Sequence, residues 1–243
     1  MRIFALTGSG ISAESGLGTF RDKGGLWARF DPMKLATPEA FARDPTTVQA
    51  FYNARRSNLL GSYPNVAHLA LARLEAGLAA RGDELMLVTQ NIDDLHERAG
   101  SRRVLHMHGE LLKARCLGCG SVTPWREDLG GMDHCPACRQ PGRLRPDVVW
   151  FGEMPLHLPE IEDALATAGM FVAIGTSGSV YPAAGFVMTA RENGARTCEL
   201  NLEPSDNRHL FHEQRYGAAT AVVPAWVTET LAEHAPVDQG DGH

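Results

Sequence analysis

Four of the five cysteines form two Cys-x2-Cys pairs, Cys116 with Cys119 and Cys135 with Cys138, and fifteen residues separate the pairs. Glycine or proline within each pair permits the tight turn that brings two thiolates together. Four thiolates at this spacing bind one zinc ion tetrahedrally, each at about 2.3 Å, and leave no coordination position for water. The sequence therefore predicts one structural Zn2+ that takes no part in catalysis. His134 breaks the spacing, and we expect it on a solvated loop.

A glycine-rich turn follows the first predicted strand, Arg2–Thr7. Residues 8–13 read Gly-Ser-Gly-Ile-Ser-Ala, the G-x-G-x-x-A form that lets backbone approach a pyrophosphate at the start of a predicted helix. The pattern alone is weak, because glycine-rich loops are also plain turns. A dehydrogenase would place a second strand ending in Asp or Glu about 20 residues on. Residues 18–27 instead predict a loop, so residues 201–203, which end a later strand, are the better candidates for a ribose contact.

Polar residues follow two further apolar runs. Residues 85–89 lead into Gln90-Asn91-Ile92-Asp93, and residues 104–107 lead into His108-Gly109. Buried parallel strands have this profile, and their carboxyl ends share one edge of the sheet. We therefore expect these polar residues to lie beside the glycine-rich turn.

The elements that position these residues alternate along the chain. The patterns predict helices over 47–60, 65–80, 161–168 and 182–193 and from Pro224 onward, and strands over 170–174, 197–202 and 219–223. This alternation indicates an α/β fold, a Rossmann-like doubly wound parallel sheet with a small inserted zinc ribbon and a helical module. The expected division is a discontinuous Rossmann-like domain of residues 1–30, 84–112 and 145–243, a helical module of residues 31–83, and a zinc ribbon of residues 113–144. We expect disorder only after about residue 235.

Composition narrows the classes of function. Of the 243 residues 44% are hydrophobic and 21% charged, which suits a globular chain with a sizeable core. A net charge of −6 disfavours binding to nucleic acid. No apolar run approaches the length of a membrane span, and the first predicted strand begins directly after Met1, so we expect a cytoplasmic protein without a signal peptide. A reducing compartment disfavours disulfides, and we expect the unpaired Cys198 to be buried.

Taken in chain order, these segments resemble the sirtuin family, the class III NAD-dependent protein-lysine deacylases, over nearly the whole chain. They are GSGISAESGLGTFR at 8–21, QNID at 90–93, HMHG at 106–109, the cysteine quartet, GTS at 175–177 and NLE at 201–203. The resemblance is greatest to the bacterial and mitochondrial branch that removes succinyl and malonyl groups. It implies removal of acetyl, succinyl and malonyl groups from lysine. Its products would be nicotinamide, O-acyl-ADP-ribose and free lysine, with NAD as a consumed co-substrate.

The resemblance also assigns the binding residues. Those for NAD are Gly8, Ser9, Gly10, Ile11, Ser12, Ala13, Glu14, Ser15, Gly16, Thr19, Phe20, Arg21, Trp27, Gln90, Asn91, Ile92, Asp93, Gly175, Thr176, Ser177, Asn201, Leu202, Glu203 and Ala219. Val148, Val149, Phe151 and Gly152 would pair with the substrate peptide as an added strand, through main-chain hydrogen bonds that tolerate varied sequence.

Catalysis is assigned by the resemblance to His108 and Asn91. An imidazole with an ordinary pKa of about 6.5 accepts a proton at neutral pH, so His108 would act as general base toward a ribose hydroxyl. His106 competes for this role, since alternation places it on the same strand face. In the family the base directly precedes glycine, which favours His108 and leaves His106 structural. We expect His96 on a helix surface.

Tyr52 and Arg55 lie three residues apart on a predicted helix and so face the same way. An arginine fork with a tyrosine hydroxyl matches a carboxylate, which a succinyl-lysine or malonyl-lysine presents. Family members with this Tyr-x-x-Arg use the pair in that way. The alternative is a solvated helix face, to which Arg56 would belong.

Three other functions compete with the deacylase. A mono-ADP-ribosyltransferase would use the same co-substrate, but the Tyr52 and Arg55 pair argues against it. A nucleic-acid-binding zinc ribbon is disfavoured by the acidic chain. An NAD oxidoreductase would need a second strand ending in Asp or Glu, and this sequence predicts a loop in that place. The expected partners are acyl-lysine proteins, with no nucleic acid and no membrane, and we expect a monomer.

Overall fold

A six-stranded parallel sheet forms the centre of the protein in the computed structural model, which describes residues 1–18 and 34–233. Its strands are β1 (Arg2–Thr7), β2 (Glu84–Thr89), β3 (Val104–His106), β7 (Met170–Ile174), β8 (Arg196–Asn201) and β9 (Glu213–Tyr216). They are ordered β3-β2-β1-β7-β8-β9, and every neighbouring pair runs parallel. Strand β7 is apolar throughout and β1 is apolar over residues 3–6, because helices cover both faces of the sheet.

Seven helices accompany the sheets in the described part of the chain. They are α1 (Pro38–Arg43), α2 (Pro45–Gly61), α3 (Val66–Ala79), α4 (Leu95–Arg98), α5 (Leu158–Thr167), α6 (Phe186–Glu192) and α7 (Ala219–Glu233). Helices α3 and α7 pack on one face of the large sheet, through Leu74 and Trp226 among others. Helices α5 and α6 cover the other face, through Ile161 and Val187. This arrangement confirms the predicted doubly wound α/β fold. No helix of the described ranges is long and apolar enough to span a membrane.

A second, antiparallel sheet contains the cysteine region. It consists of β4 (Gly109–Cys116), β5 (Val122–Pro124) and β6 (Leu144–Val148), ordered β5-β4-β6. Helices α1 and α2 share an apolar cluster with this small sheet, whereas α3 packs on the large one. We therefore propose to divide the chain so that α3 belongs with the Rossmann-like part and the whole of β4 to β6 with the zinc module.

The predicted strand over 219–223 is wrong, because these residues open α7. The buried residues of α7, Val223, Trp226, Val227 and Thr230, follow the i, i+3, i+4, i+7 spacing of a helix. The short run Ala-Val-Val fits a strand equally well, and periodicity over so few residues does not separate the two. The last strand is instead β9, whose sequence Glu-Gln-Arg-Tyr is polar because it lies at the sheet edge.

Candidate active site

The glycine-rich turn packs directly against the end of β7. The amide of Gly8 donates to the Ile174 carbonyl at 2.9 Å, and the amide of Gly10 donates to the Gly175 carbonyl at 2.8 Å. A Cβ at Gly10 would lie 2.6 Å from the Cα of Gly175, and one at Gly8 would lie 2.7 Å from the Gly175 oxygen. Both glycines are therefore required by contact between two backbone segments.

The predicted helix after this turn is wrong. Residues Ser9–Ile11 and Ala13–Ser15 form two short 3-10 turns, separated at Ser12. The second turn ends at Gly16, which adopts the left-handed conformation with φ +85°. A pyrophosphate bound at this turn would therefore not lie at the amino terminus of a long helix.

Ser12 is the centre of a buried polar network beneath the turn. Its hydroxyl donates to Asp93 Oδ2 at 3.0 Å and accepts from Asn91 Nδ2 at 3.1 Å. His68 Nε2 lies 3.3 Å from the same oxygen. Because His68 Nδ1 accepts from the Asn65 amide, Nε2 holds the proton and donates to Ser12. Burial lowers the pKa of His68 to about 4, so the ring is neutral.

Three residues predicted to bind NAD meet in this network: Ser12, Asn91 and Asp93. Asn91 also donates from Nδ2 to the Gly8 carbonyl at 3.2 Å, which ties the end of β2 to the turn. Burial raises the pKa of Asp93, and the hydrogen bonds from the Leu95 amide and Ser12 oppose the increase. The side-chain nitrogen of Gln90 is buried without a hydrogen-bond partner in the part of the chain that the structure describes. An unpaired buried donor beside the turn fits a ligand rich in acceptor oxygens, such as NAD.

His108 lies at the carboxyl edge of the large sheet, between β3 and β4. Its Nδ1 is 3.0 Å from the Gln90 carbonyl oxygen, which only accepts. Nδ1 therefore carries the proton in the neutral ring, and Nε2 keeps its lone pair. Burial lowers the pKa of His108, opposed by the Gln90 hydrogen bond. The ring is a neutral base at pH 7.

Two further histidines of this region, His106 and His96, are engaged on both sides or fully buried. His106 contacts Glu97 Oε1 through Nε2 at 2.7 Å and the Asn91 carbonyl through Nδ1 at 3.3 Å. Burial disfavours its charge, yet Glu97 raises the pKa of His106. The expectation that His96 lies on a helix surface is wrong, because it is fully buried and its Nε2 is 3.0 Å from Thr7 Oγ1. Helix α4 has only four residues and lies beneath the turn, so helical periodicity does not locate its exposed side.

Tyr52 and Arg55 lie on α2, and Tyr52 shares an apolar cluster with Ile92 and Leu95, on either side of Asp93. The Tyr52 oxygen accepts the indole N–H of Trp150 at 2.9 Å, and burial raises the pKa of Tyr52 to about 12. Burial lowers the pKa of Arg55, and the charges of Tyr52 and Asp93 oppose this change, so the guanidinium lies within electrostatic range of both. Arg56 is 1% exposed and donates to the Leu111 carbonyl at 3.2 Å. A solvated helix face therefore does not describe Arg56.

The predicted peptide-binding segment, residues 148–152, runs beside the base. The Val149 amide donates to the His108 carbonyl at 2.8 Å, and the Phe151 amide donates to the Ala36 carbonyl at 2.9 Å. The Trp150 amide donates to Glu153 Oε2 at 2.8 Å. Peptide binding by strand addition stays a prediction, and it would have to use other backbone groups of this segment.

Among the predicted NAD residues, Asn201 is buried and links the end of β8 to the segment that follows β7. Its Nδ2 donates to the Thr176 carbonyl at 2.8 Å and to Glu199 Oε1 at 2.9 Å. Leu202 and Glu203 are exposed, and Ala219 is the first residue of α7. Gly175 adopts φ +62° where it meets the turn.

Some predicted NAD residues have other contacts, or lie beyond what is described. Glu14 accepts from the Thr220 amide at 3.0 Å and from Thr220 Oγ1 at 2.7 Å, at the start of α7. Ile11 is part of the main core. The residues that fall outside the described ranges are Thr19, Phe20, Arg21 and Trp27.

The four paired cysteines converge at the far end of the small sheet. Their sulfurs lie within 4.8 Å of one another, with 3.7 Å between Cys116 and Cys138 and 3.8 Å between Cys119 and Cys135. A tetrahedron with Zn–S bonds of about 2.3 Å has edges of about 3.8 Å, whereas a disulfide needs about 2.05 Å. The quartet thus fits a structural zinc ion, as predicted. His134 is exposed and Cys198 is buried, as expected.

Sequence reasoning missed His68 and Trp150. His68 occupies an apolar stripe of α3, and only its capping box with Asn65 hinted at a polar role. Trp150 lies within the predicted peptide-binding segment but was not assigned a function of its own. An indole among apolar residues signals a donor that needs a partner when buried.

A Rossmann-like sheet with a free imidazole base at its carboxyl edge and an inserted four-cysteine module defines an enzyme that acts on a dinucleotide. The Sir2 family model matches residues 8–182. The chain therefore belongs to the Sir2 family, which confirms the resemblance to sirtuins.

Similar proteins cover almost the whole chain. The NAD-dependent protein deacylase of Caulobacter vibrioides is 61% identical over 232 residues, which are 96% of this chain and 98% of that protein. The NAD-dependent protein deacylase SIR2rp3 of Leishmania major is 57% identical over 95% of this chain and 96% of its own. A solved Sir2 homologue in complex with NAD is 37% identical, with a TM-score of 0.85, over 96% of this chain and 90% of its own.

Proposed function

We infer that this protein is an NAD-dependent protein-lysine deacylase that removes acetyl groups and the acidic succinyl and malonyl groups. The observation that carries the proposal is His108, whose Nδ1–H is held by the Gln90 carbonyl so that Nε2 stays available as a base. Relatives over nearly the full length, 61% and 57% identical, are named NAD-dependent protein deacylases.

The residues around the glycine-rich turn would hold NAD. Bound NAD supplies a ribose whose link to nicotinamide can be broken and whose hydroxyls can accept the acyl group. The side-chain nitrogen of Gln90 is buried without a partner in the described chain, and Asn91 and Asp93 are fixed through Ser12. The individual contacts predicted from sequence, including those of residues 175–177 and 201–203, are part of this proposal. His108 Nε2 would take the proton of a ribose hydroxyl.

Tyr52 and Arg55 would bind the carboxylate at the end of a succinyl or malonyl chain. Tyr52 shares an apolar cluster with Ile92 and Leu95, on either side of Asp93. Tyr52 is buried and Arg55 is half-buried, so a charge-assisted hydrogen bond there is stronger than one in open water. An acetyl group has no carboxylate and would not use the pair. The pair therefore favours acidic acyl chains.

We propose acyl-lysine proteins as partners, without nucleic acid, and a cytoplasmic monomer. The net charge of −6 supports the absence of nucleic acid. Size-exclusion chromatography with light scattering tests the monomer, and cell fractionation tests the compartment.

The test uses acetyl-peptide and succinyl-peptide, each with and without NAD, with nicotinamide and free lysine as readouts. We expect lysine release from both peptides only with NAD, with one nicotinamide per lysine. Arg55→Met should lower kcat/KM for the succinyl peptide by roughly 10²-fold and for the acetyl peptide much less, because a charge-assisted hydrogen bond is lost.

Arg43→Met, on the exposed side of α1, is the control and should change neither activity. Lysine release without NAD would refute the deacylase mechanism. Transfer of ADP-ribose to protein in place of lysine release would favour the ADP-ribosyltransferase. Equal loss of both activities in Arg55→Met would refute the carboxylate site.

A further inference from the structure

The hydroxyl oxygen of Tyr52 accepts a hydrogen bond from Trp150. The two side chains are 3% and 2% exposed, and the indole Nε1 lies 2.9 Å from the Tyr52 oxygen. An indole nitrogen only donates, so the phenol oxygen must be the acceptor in this bond. The phenol proton prefers the ring plane, where it has two positions. With one of them facing the indole N–H, the proton takes the other.

Trp150 is held in place by its neighbours, so its N–H fixes the direction of the Tyr52 hydroxyl proton. The Arg145 guanidinium carbon lies 3.4 Å from the Trp150 ring centroid, and Phe41 packs at 5.2 Å. Glu153 accepts hydrogen bonds from Nη1 and Nη2 of Arg145, at 2.7 and 2.9 Å. It also accepts one from the Trp150 amide. The ring therefore has little freedom to turn its N–H elsewhere.

The same helix face presents Arg55, three residues after Tyr52. Tyr52 shares an apolar cluster with Ile92 and Leu95, which lie on either side of Asp93, so this helix packs beside the segment that carries the polar network. A group bound there meets the Arg55 guanidinium, which only donates, and the Tyr52 hydroxyl. Whether that hydroxyl donates or accepts decides whether the pocket suits a carboxylate, which accepts only.

We propose that Trp150 is a specificity-determining residue: by donating to the Tyr52 oxygen it fixes that hydroxyl as a donor toward the carboxylate of an acidic acyl chain. This inference rests on the proposed function of Tyr52 and Arg55. Without the indole N–H, the hydroxyl could turn its proton toward position 150, and its oxygen would then face the carboxylate. Trp150 thus acts through Tyr52 and needs no contact with substrate of its own.

The experiment measures the ratio of kcat/KM for succinyl-peptide to that for acetyl-peptide. Trp150→Phe should lower this ratio roughly fivefold to tenfold, the effect of one oriented hydrogen bond to a charged group. A second variant carries 3-benzothienylalanine at position 150, which keeps the shape of the indole but replaces its N–H by sulfur. It should lower the ratio equally, and so it keeps the test valid if Trp150→Phe folds poorly.

Two controls separate this effect from packing. Phe41→Leu alters the other ring against Trp150 without touching the hydrogen bond, and it should leave the ratio unchanged. In a Tyr52→Phe background, Trp150→Phe should produce no further change in the ratio, because Trp150 acts only through the hydroxyl.

Failures of the two proposals have different signatures. A wild-type protein without desuccinylase activity would remove the carboxylate site, and this inference with it. Normal desuccinylation that is sensitive to Arg55→Met, with an unchanged ratio in the benzothienylalanine variant, would overturn the role of Trp150 alone. An equal decrease of the ratio in the Tyr52→Phe background would also overturn it.

Discussion

At the scale of single residues, hydrogen bonding distinguishes His108 from the neighbouring His106. His108 uses Nδ1 on the Gln90 carbonyl and leaves Nε2 open, whereas both nitrogens of His106 have partners. Burial lowers the pKa of His108, while Glu97 raises that of His106. The pKa values of two histidines only two residues apart are therefore shifted in opposite directions, and His108 is the one with a ring nitrogen left open for proton abstraction.

His108→Ala should lower kcat/KM by roughly 10²-fold to 10⁴-fold for both acyl peptides, because the general base is lost. His134→Ala, in the exposed part of the zinc module, is the matched control and should retain full activity. Steady-state rates of nicotinamide release measure both. Full activity of His108→Ala would exclude it as the base.

The pH dependence of the wild-type enzyme tests the same residue. The base must be unprotonated, and the pKa of His108 is lowered below its usual value near 6.5. Activity should therefore fall only as the pH drops through a midpoint below about 6.5, with a plateau above it. A midpoint above 7 in kcat/KM would contradict the environment described for this ring.

At the scale of elements, the turn and the end of β7 act as one unit. Gly8 and Gly10 meet Gly175 at distances that no side chain permits, and Asn91 ties β2 to the same place. The loop that would hold NAD is thus positioned by backbone contact, with Ser12 and Asp93 fixed beneath it.

Gly10→Ala should destabilise the protein by about 1–3 kcal/mol, because its Cβ would lie 2.6 Å from the backbone of Gly175 and both segments must move. NAD affinity should fall as well. Urea unfolding and calorimetric titration with NAD measure the two effects. Gly61→Ala, at the end of α2 with open space around it, is the control and should change neither by more than about 0.5 kcal/mol. Wild-type stability and affinity in Gly10→Ala would show that the turn is not held in this way.

Sequence patterns located the strands at the centre of the sheet because these contain buried apolar runs, as in 170–174. Strand β9 escaped because an edge strand of Glu-Gln-Arg-Tyr lacks that signal. The buried His96 and the contact of Glu14 with Thr220 escaped because they depend on which distant elements meet. The cysteine quartet was recognisable because metal binding follows local spacing, whereas His108 was singled out only by the family resemblance, through the glycine that follows it.

At the scale of the whole molecule, the small sheet links the metal to the chemistry. Strand β4 begins directly after His108, and β6 leads into Val149, whose amide bonds the His108 carbonyl. Helix α2 is attached to the same module, since Asn53 exchanges hydrogen bonds with the Leu129 backbone and Gln49 donates to the Leu144 carbonyl. His108, the segment 148–152 and helix α2 are all attached to a module whose far end is the cysteine quartet.

Removal of zinc should therefore abolish activity while the large sheet stays folded. When a chelator removes the ion, the four sulfurs take up protons and lose the coordination that holds them together, so the end of the small sheet near Cys116 becomes disordered. Hydrogen exchange should accelerate at 109–124 and 144–148, and protection should persist at 2–7 and 170–174. Cys135→Ser should reproduce this result without chelator, whereas Cys198→Ser, away from the quartet, should keep its zinc. Full activity with unchanged exchange in metal-free protein would show that the module positions neither His108 nor Tyr52.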